Sequence, residues 1–254
     1  MLLIQAIILG IIQGLTEFLP VSSSAHLIIV PKIFDWPTHS LFFDTSLHLG
    51  TAFAVIVYFA KDWLKIIKDR NYLLKILVGI IPAGIFGFLF SDFIESNTHS
   101  FSIIAIALLV GTAIMVLSEK SLKRVKNSKS AVNLKDSLFI GVMQVLALFP
   151  GMSRSSMTIS GGFLRGIKKE YAVKFSFYLS APIIFAAACY SFIKSYKLYG
   201  SIGFLNGSFA IGVLTSFLVG LFVIKFMIEY IRSKGFGVFI IYRALLALLI
   251  LFLC

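Results

Sequence analysis

Long apolar runs alternate with short polar stretches along this chain. Windows long enough to cross a bilayer occur at 44–60, 74–91, 101–118, 175–192, 208–230 and 236–254, within the range of roughly 17–25 residues that a transmembrane helix requires. Two further apolar regions, 2–30 and 136–163, are broken near their middles by proline, serine and other polar residues. A segment that enters the membrane and turns back has this pattern, because non-helical backbone is tolerated at depth only where protein encloses it. The expected fold is an all-α integral membrane protein with about six transmembrane helices plus two re-entrant helix pairs.

Composition supports a bilayer protein. Hydrophobic residues make up 59% of the 254 and charged residues only 13%, against roughly 45–50% and 25% in soluble domains. The mean hydropathy of +0.97 is spread over many runs, which excludes a soluble domain on a single anchor. The first run has no Lys or Arg before it and leads directly into Gln13, Glu17 and Pro20, so it is expected to remain in the mature protein and not to be a signal peptide.

Charge then orients the spans. The net charge of +12 comes largely from the connections: 61–73, 119–135 and 164–174 are rich in Lys and Arg, as is the short Arg232–Lys234 turn, whereas 92–100 carries Asp92 and Glu95 with no basic residue. Basic connections face the cytoplasm, which leaves both termini outside; Lys194 and Lys197 alone run against this assignment. The basic residues therefore read as topology signals, with membrane lipids as partners and no nucleic acid. Cys189 and Cys254 lie far apart in apolar stretches and suggest neither a disulfide nor a metal site.

The chain also repeats itself. Gly10-Ile-Ile-Gln13-Gly-Leu-Thr-Glu17-Phe18-Leu-Pro20-Val-Ser22 is similar to Gly141-Val-Met-Gln144-Val-Leu-Ala-Leu148-Phe149-Pro150-Gly-Met-Ser153, with one gap before Pro150. This predicts a single membrane domain of two repeats, about 1–118 and 136–254, joined by a cytoplasmic linker at about 119–135. Each repeat holds one re-entrant pair and three spans, so an odd number of spans inverts one repeat relative to the other. In such folds the broken segments meet near the midplane and build the site.

Those segments hold the polar residues with chemical potential. Gln13 and Glu17 share a helix face by their spacing of four, and a carboxylate in apolar sequence points to function. Glu17 could hold a divalent cation together with substrate phosphates. After Pro20, Ser22-Ser23-Ser24-Ala25-His26 reads as a helix start whose N–H groups and hydroxyls receive an anion. Ser23 and His26 are three apart, which would bring hydroxyl and imidazole together on a helix, so either Ser23 with His26 as base or His26 itself could attack phosphorus. In the second segment, Pro150-Gly151-Met152-Ser153-Arg154-Ser155-Ser156 combines a flexible turn, hydroxyls and one guanidinium, which suits a phosphate, with Arg154 as its clamp.

Weaker signals surround these. Asp44 and His48 are four apart at the start of a span, and Arg243 sits inside the last apolar run, where pairing with a carboxylate or carbonyl competes with a phosphate contact. Lys225 and Glu229 form a pair near a helix end, where snorkelling explains them. His39 and His99 show no metal-ligand spacing, which argues against a zinc enzyme.

Gln13-Gly-Leu-Thr-Glu17-Phe-Leu-Pro-Val-Ser-Ser23-Ser-Ala-His26, together with Phe149-Pro-Gly-Met-Ser153-Arg154-Ser-Ser156, resembles the undecaprenyl-diphosphate phosphatase family, also called the bacitracin resistance proteins. The resemblance extends through Asp44-Thr-Ser-Leu-His48-Leu-Gly50-Thr and Phe175-Ser-Phe-Tyr-Leu-Ser-Ala-Pro182, and so covers most of the chain. It implies hydrolysis of undecaprenyl diphosphate to the monophosphate and inorganic phosphate in the bacterial cytoplasmic membrane, recycling the lipid carrier for cell-wall synthesis and conferring bacitracin resistance. It also implies Gln13 and Glu17 as a metal-binding pair for Mg²⁺, with Ca²⁺ as the alternative. Ser23 and His26 become candidates for nucleophile and acid/base, with a metal-bound water as the third candidate nucleophile, and Ser153 with Arg154 forms the phosphate motif, with Ser22, Ser24 and Ser155 beside it. Gln13 stands where many members have Glu, Ala25 where Gly is usual, and Met152 and Ser156 where the commoner motif has Thr and Gly. A homodimer is an open possibility. The competing function is a polyprenyl-phosphate lipid transporter using the same anion pocket, since inverted repeats with broken helices also serve transport.

Overall fold

The computed structural model describes residues 2–36, 41–98, 100–199 and 207–253; His39, His99 and Cys254 lie outside them. The described chain is helical: α1 (Leu3–Thr16), α2 (Ser23–Ile33), α3 (Leu41–Tyr58), α4 (Ala60–Lys68), α5 (Arg70–Asn97), α6 (Phe101–Arg124), α7 (Leu134–Leu146), α8 (Arg154–Leu164), α9 (Lys169–Tyr199), α10 (Gly207–Lys234) and α11 (Gly237–Leu253). Among the described residues the only β pairing is a single bridge between Lys129 and Ile167.

Each of the six expected spans is a helix, but the helices are less uniform than the apolar windows suggest. Four of them, α5, α6, α9 and α10, are long and apolar enough to cross a membrane, and α3 joined to α4 through a 77° bend makes a fifth. Helix α11 has 17 residues and falls just short of that length. Segments expected to be connections are partly helical: α4 carries Lys61, Lys65 and Lys68, α6 continues through Lys123 and Arg124, and α9 begins at Lys169. Lysine and arginine favour helices, complement the negative C-terminal end of the dipole and extend their heads into water. Loss of apolarity therefore marks where the membrane ends, not where the helix ends.

Two helices are broken inside apolar sequence. Between α1 and α2 the chain turns through residues 17–22, and between α7 and α8 through 147–153. Both turns end in a left-handed serine, Ser22 with φ of 75° and Ser153 with φ of 69°, and the second also uses Gly151 at φ of 100°. A second helix begins immediately after each of these serines, at Ser23 and at Arg154, and its first N–H groups have no intrahelical partner.

Close backbone contacts then fix the pairs in the bundle. Helix α1 lies on α10 and α7 lies on α5. A Cβ added at Gly10 would come within 2.7 Å of the Gly212 carbonyl oxygen, and one at Gly141 within 2.5 Å of the Gly79 carbonyl oxygen. Small residues at helix crossings allow the dispersion contacts that drive association in lipid. Helix α3 packs against α9 and α10, while α6 packs against α8 and α11.

The linker ahead of α7 is pinned to the turn between α8 and α9. Lys129 donates its N–H to the Gly166 carbonyl and accepts from the Lys168 N–H. Asn133 caps α7, with its side chain accepting from the Asp136 N–H at 2.8 Å. The fully buried Asp136 carboxylate accepts from Lys129 Nζ at 2.9 and 3.1 Å and from Arg165 Nε at 2.8 Å. Both cations are partly exposed, so solvent weakens the pairing. Asp136→Ala should nevertheless destabilise the protein by about 1–3 kcal/mol, read as a lower melting temperature in detergent, with Asp136→Asn intermediate. An unchanged melting temperature in both variants would show that this carboxylate does not hold the linker.

Candidate active site

Glu17 follows directly on α1, and its carboxylate is 6% exposed. Its Oε1 accepts from Arg154 Nη2 at 2.7 Å. Its Oε2 accepts from Ser23 Oγ at 2.8 Å and from Gln13 Nε2 at 3.0 Å, and His48 Nε2 stands 3.4 Å away. The two turns are thus joined through one carboxylate: Gln13 and Glu17 come from α1 and its end, Ser23 from the start of α2, and Arg154 from the start of α8. Arg154 is held on its other side by Nη1 donating to the Ser176 carbonyl at 3.2 Å.

The remaining serines are divided between site and scaffold. Ser22 and Ser24 share a hydroxyl–hydroxyl bond of 3.1 Å. Ser153 Oγ caps α8 by accepting from the Ser156 N–H at 3.3 Å and lies 3.2 Å from Ser155 Oγ. Ser155 donates to the Leu19 carbonyl at 3.1 Å, so its hydroxyl ties the second turn to the first.

His26 does not pair with Ser23, although their spacing suggested it. Its Nδ1 lies 2.7 Å from the Ser22 carbonyl oxygen and its Nε2 lies 2.6 Å from the Tyr242 hydroxyl. A carbonyl only accepts, so in the neutral ring Nδ1 carries the proton and Nε2 accepts from Tyr242. Ser23 turns instead to Glu17, because the chain enters α2 through the left-handed Ser22 and places Ser23 facing back toward the end of α1. Sequence reasoning held His48 in reserve on its spacing from Asp44. It did not select Ser176, inside a stretch quoted only for its likeness, or Tyr242, which is 216 positions from His26 and carries no local signal.

The arrangement favours an anion. Neither α2 nor α8 has an acidic residue in its first turn, and the positive ends of both helix dipoles meet at the site. Arg154 adds a full charge. Two of the five N–H donors of a guanidinium are committed to Glu17 and the Ser176 carbonyl, which leaves three for a phosphate.

Below the site an aromatic column fills the bundle toward the end bearing the basic connections. Phe18 meets Phe177 edge-on at 5.2 Å, Phe59 packs on Tyr178 at 5.1 Å, and Tyr178 donates to Asp62 at 3.1 Å. Beside the site, a mostly apolar cavity of about 560 Å³ opens between α5 and α9, with Ser24, Leu148 and Pro150 at one end and Tyr190 and Lys194 at the other.

Among the described residues, no group of three or more His, Cys, Asp or Glu could hold a metal ion. Gln13 Oε1, however, is buried with no hydrogen-bond partner, directly beside Glu17. One carboxylate and one amide oxygen suit a cation that takes its remaining ligands from phosphate and water, as Mg²⁺ does.

The family profile described as bacitracin resistance protein BacA matches residues 6–249. The chain belongs to the BacA family. Curated relatives carrying the name undecaprenyl-diphosphatase include one from Thermodesulfovibrio yellowstonii, 43% identical over 99% of this chain and 97% of its own. Another, from Caldicellulosiruptor bescii, is 46% identical over 97% of this chain and 96% of its own, and a third, from Desulforudis audaxviator, is 39% identical over 97% and 96%. The resemblance carried by two motifs therefore extends over nearly the whole chain.

The Glu17–Arg154 pair carries a direct test. Removing either partner takes from the other the opposite charge nearest to it, at 2.7 Å, so Glu17→Ala and Arg154→Ala should each lower thermal stability in detergent. In a double-mutant cycle the two should couple by roughly 1–3 kcal/mol; simple additivity would mean that the pair does not form in the folded protein.

Proposed function

We propose that this chain hydrolyses undecaprenyl diphosphate to undecaprenyl phosphate and inorganic phosphate. The observation that carries the reading is Arg154 and Ser23 converging on Glu17 where two helix N-termini meet, within an apolar bundle and beside an apolar cavity. The relatives named undecaprenyl-diphosphatase support the same substrate. The diphosphate occupies the convergence point, and the prenyl chain leaves along the cavity between α5 and α9. The aromatic column of Phe18, Phe59 and Phe177 closes the opposite side.

The resting pair explains how substrate engages. The terminal phosphate competes with Glu17 for Arg154 and draws the guanidinium to its equatorial oxygens, where charge accumulates during phosphoryl transfer. Glu17, relieved of that cation, becomes the proton acceptor for Ser23, whose hydroxyl already points at it. Ser23 Oγ attacks the terminal phosphorus, the bond to the bridging oxygen breaks, and polyprenyl phosphate leaves with that electron pair. Water then attacks the phosphoserine, returning the serine and releasing inorganic phosphate. His26, held by Tyr242, is the second proton carrier. Gln13 and Glu17 would hold a divalent cation, Mg²⁺ or Ca²⁺, which when bound supplies further neutralisation of the diphosphate.

We read the two helix–turn–helix pairs as re-entrant and the halves 1–118 and 136–254 as inverted repeats, which places both termini outside. The matched left-handed serines at 22 and 153 and the matched glycine approaches at 10 and 141 support this. So does the cross-packing of α1 on α10 and α7 on α5, in which the first helix of each half packs against the other half.

Purified protein in detergent should release phosphate from a polyprenyl diphosphate in Mg²⁺ and lose this activity in EDTA. Arg154→Ala should lower kcat by on the order of 10²–10³-fold. Ser23→Ala should abolish a trappable phosphoserine that His26→Ala retains. Lipid translocation without phosphate release would move the assignment to the transporter. The cavity has its own test: Gly84 faces open space, where an added Cβ would meet only Ile183 Cδ1, at 3.9 Å. Gly84→Leu should raise KM for a long polyprenyl diphosphate far more than for a farnesyl analogue. An equal change for both would place the chain elsewhere.

A further inference from the structure

Among the described residues, Arg243 is the largest fully buried side chain, at 0% exposure. It lies in the middle of the apolar α11, and its hydrogen bonds run to oxygen dipoles and not to a carboxylate. Nε donates to Thr112 Oγ1 at 3.1 Å. Nη1 donates to the Pro20 carbonyl at 3.3 Å. Nη2 donates to the carbonyls of Leu108, Gly151 and Met152 at 3.1, 2.9 and 3.3 Å. Pro20 belongs to the first helix break and Gly151 and Met152 to the second, so one cation binds the back of both turns while Glu17 and Arg154 meet at the front.

Two glycines make the room. A Cβ at Gly111 would collide with Arg243 Nη2, and one at Gly151 would stand 2.6 Å from the Ile104 carbonyl oxygen. A buried cation in a bilayer is costly and demands compensation. Here the compensation comes from the Pro20, Gly151 and Met152 carbonyls at the two helix breaks, together with the Leu108 carbonyl and the Thr112 hydroxyl of α6. The guanidinium reaches the carbonyls of both breaks only when both turns sit around it.

We propose that Arg243 is a positioning residue for the phosphatase reaction: by holding the Pro20, Gly151 and Met152 carbonyls together it sets the distance between Ser23 and Arg154 across Glu17. This rests on the hydrolytic reading of the site. Arg243 touches no substrate, and its planar fork is what reaches several carbonyls at once, so lysine, a point charge, does not replace it. Misplacement of reacting groups by about 1 Å costs on the order of 10²-fold in rate, and that is the expected fall in kcat for Arg243→Lys and Arg243→Met, with KM little changed.

The test has two arms. In the first, phosphate release is measured for Arg243→Lys and Arg243→Met, alone and combined with Arg154→Ala, on protein that remains monodisperse in detergent. If Arg243 acts by placing Arg154, its substitution costs about 10²-fold in wild type and less than about 2-fold in the Arg154→Ala background. Full additivity, or wild-type kcat in both single variants, overturns the proposal. Should the Arg243 variants not fold, Gly111→Ala keeps the arginine and displaces its Nη2, and the same kcat loss and non-additivity are expected; a wild-type rate there overturns the proposal. The second arm needs no catalysis. With Cys189 and Cys254 replaced by alanine, the paired substitutions Leu19→Cys and Ser155→Cys report turn apposition through their rate of oxidation to a disulfide, expected to fall at least ~10-fold in Arg243→Met. An unchanged rate overturns the clamp. A folded wild type that releases no phosphate, while the paired-cysteine protein with Arg243 intact cross-links as expected, would instead overturn the hydrolytic reading.

Discussion

A bilayer offers no water to a broken helix. A buried carbonyl or N–H released at the breaks between α1 and α2 and between α7 and α8 needs a partner inside the protein, because an unsatisfied buried polar group costs up to several kcal/mol. The first break returns the Leu19 carbonyl to Ser155 and the Pro20 carbonyl to Arg243; the second returns those of Gly151 and Met152 to the same guanidinium. Local donors reach part of each turn, Val21 N–H the Leu19 carbonyl and Ser156 Oγ the Met152 carbonyl, and both turns depend on Arg243 for the rest. That mutual dependence brings α11 against α6, requires Gly111 to lack a side chain, and holds two segments distant in sequence within one hydrogen bond of each other.

The donors left over are what the site uses. Once the carbonyls face Arg243, the N-terminal ends of α2 and α8 point the other way, toward Glu17. Two helix dipoles and Arg154 then confront one carboxylate. The balance favours an additional negative group, and a phosphate is the ligand whose oxygens match both the guanidinium and the amides. The Glu17–Arg154 pair at 2.7 Å gives each of the two charges a partner.

The two matching sequences around the breaks show how similar frames carry different chemistry. Ser23 and Arg154 occupy corresponding positions immediately after the left-handed Ser22 and Ser153, and both bond to Glu17. Leu148, which corresponds to Glu17, instead lines the apolar cavity. Gln144, which corresponds to Gln13, is buried with neither side-chain polar atom bonded. The first segment provides the Glu17 carboxylate and the Ser23 hydroxyl, and the second provides the Arg154 guanidinium and part of the cavity wall.

Hydrophobic periodicity and charge placement determined by themselves that this is a helical membrane protein, which segments are long helices, and where two of them break. These follow from one-dimensional quantities: length against bilayer thickness, and proline or serine against apolar background. Glu17, Ser23 and Arg154 were legible for the same reason, since a polar residue in an apolar run needs a partner. The identity of each partner was decided by tertiary structure. Spacing alone paired Ser23 with His26, yet the left-handed backbone at Ser22 turns Ser23 to Glu17, and α11 brings Tyr242 to His26. Arg243 read locally as a lone buried cation; only the packing of α11 between two turns, hundreds of ångströms apart along an extended chain at roughly 3.3 Å per residue, assigns it their carbonyls.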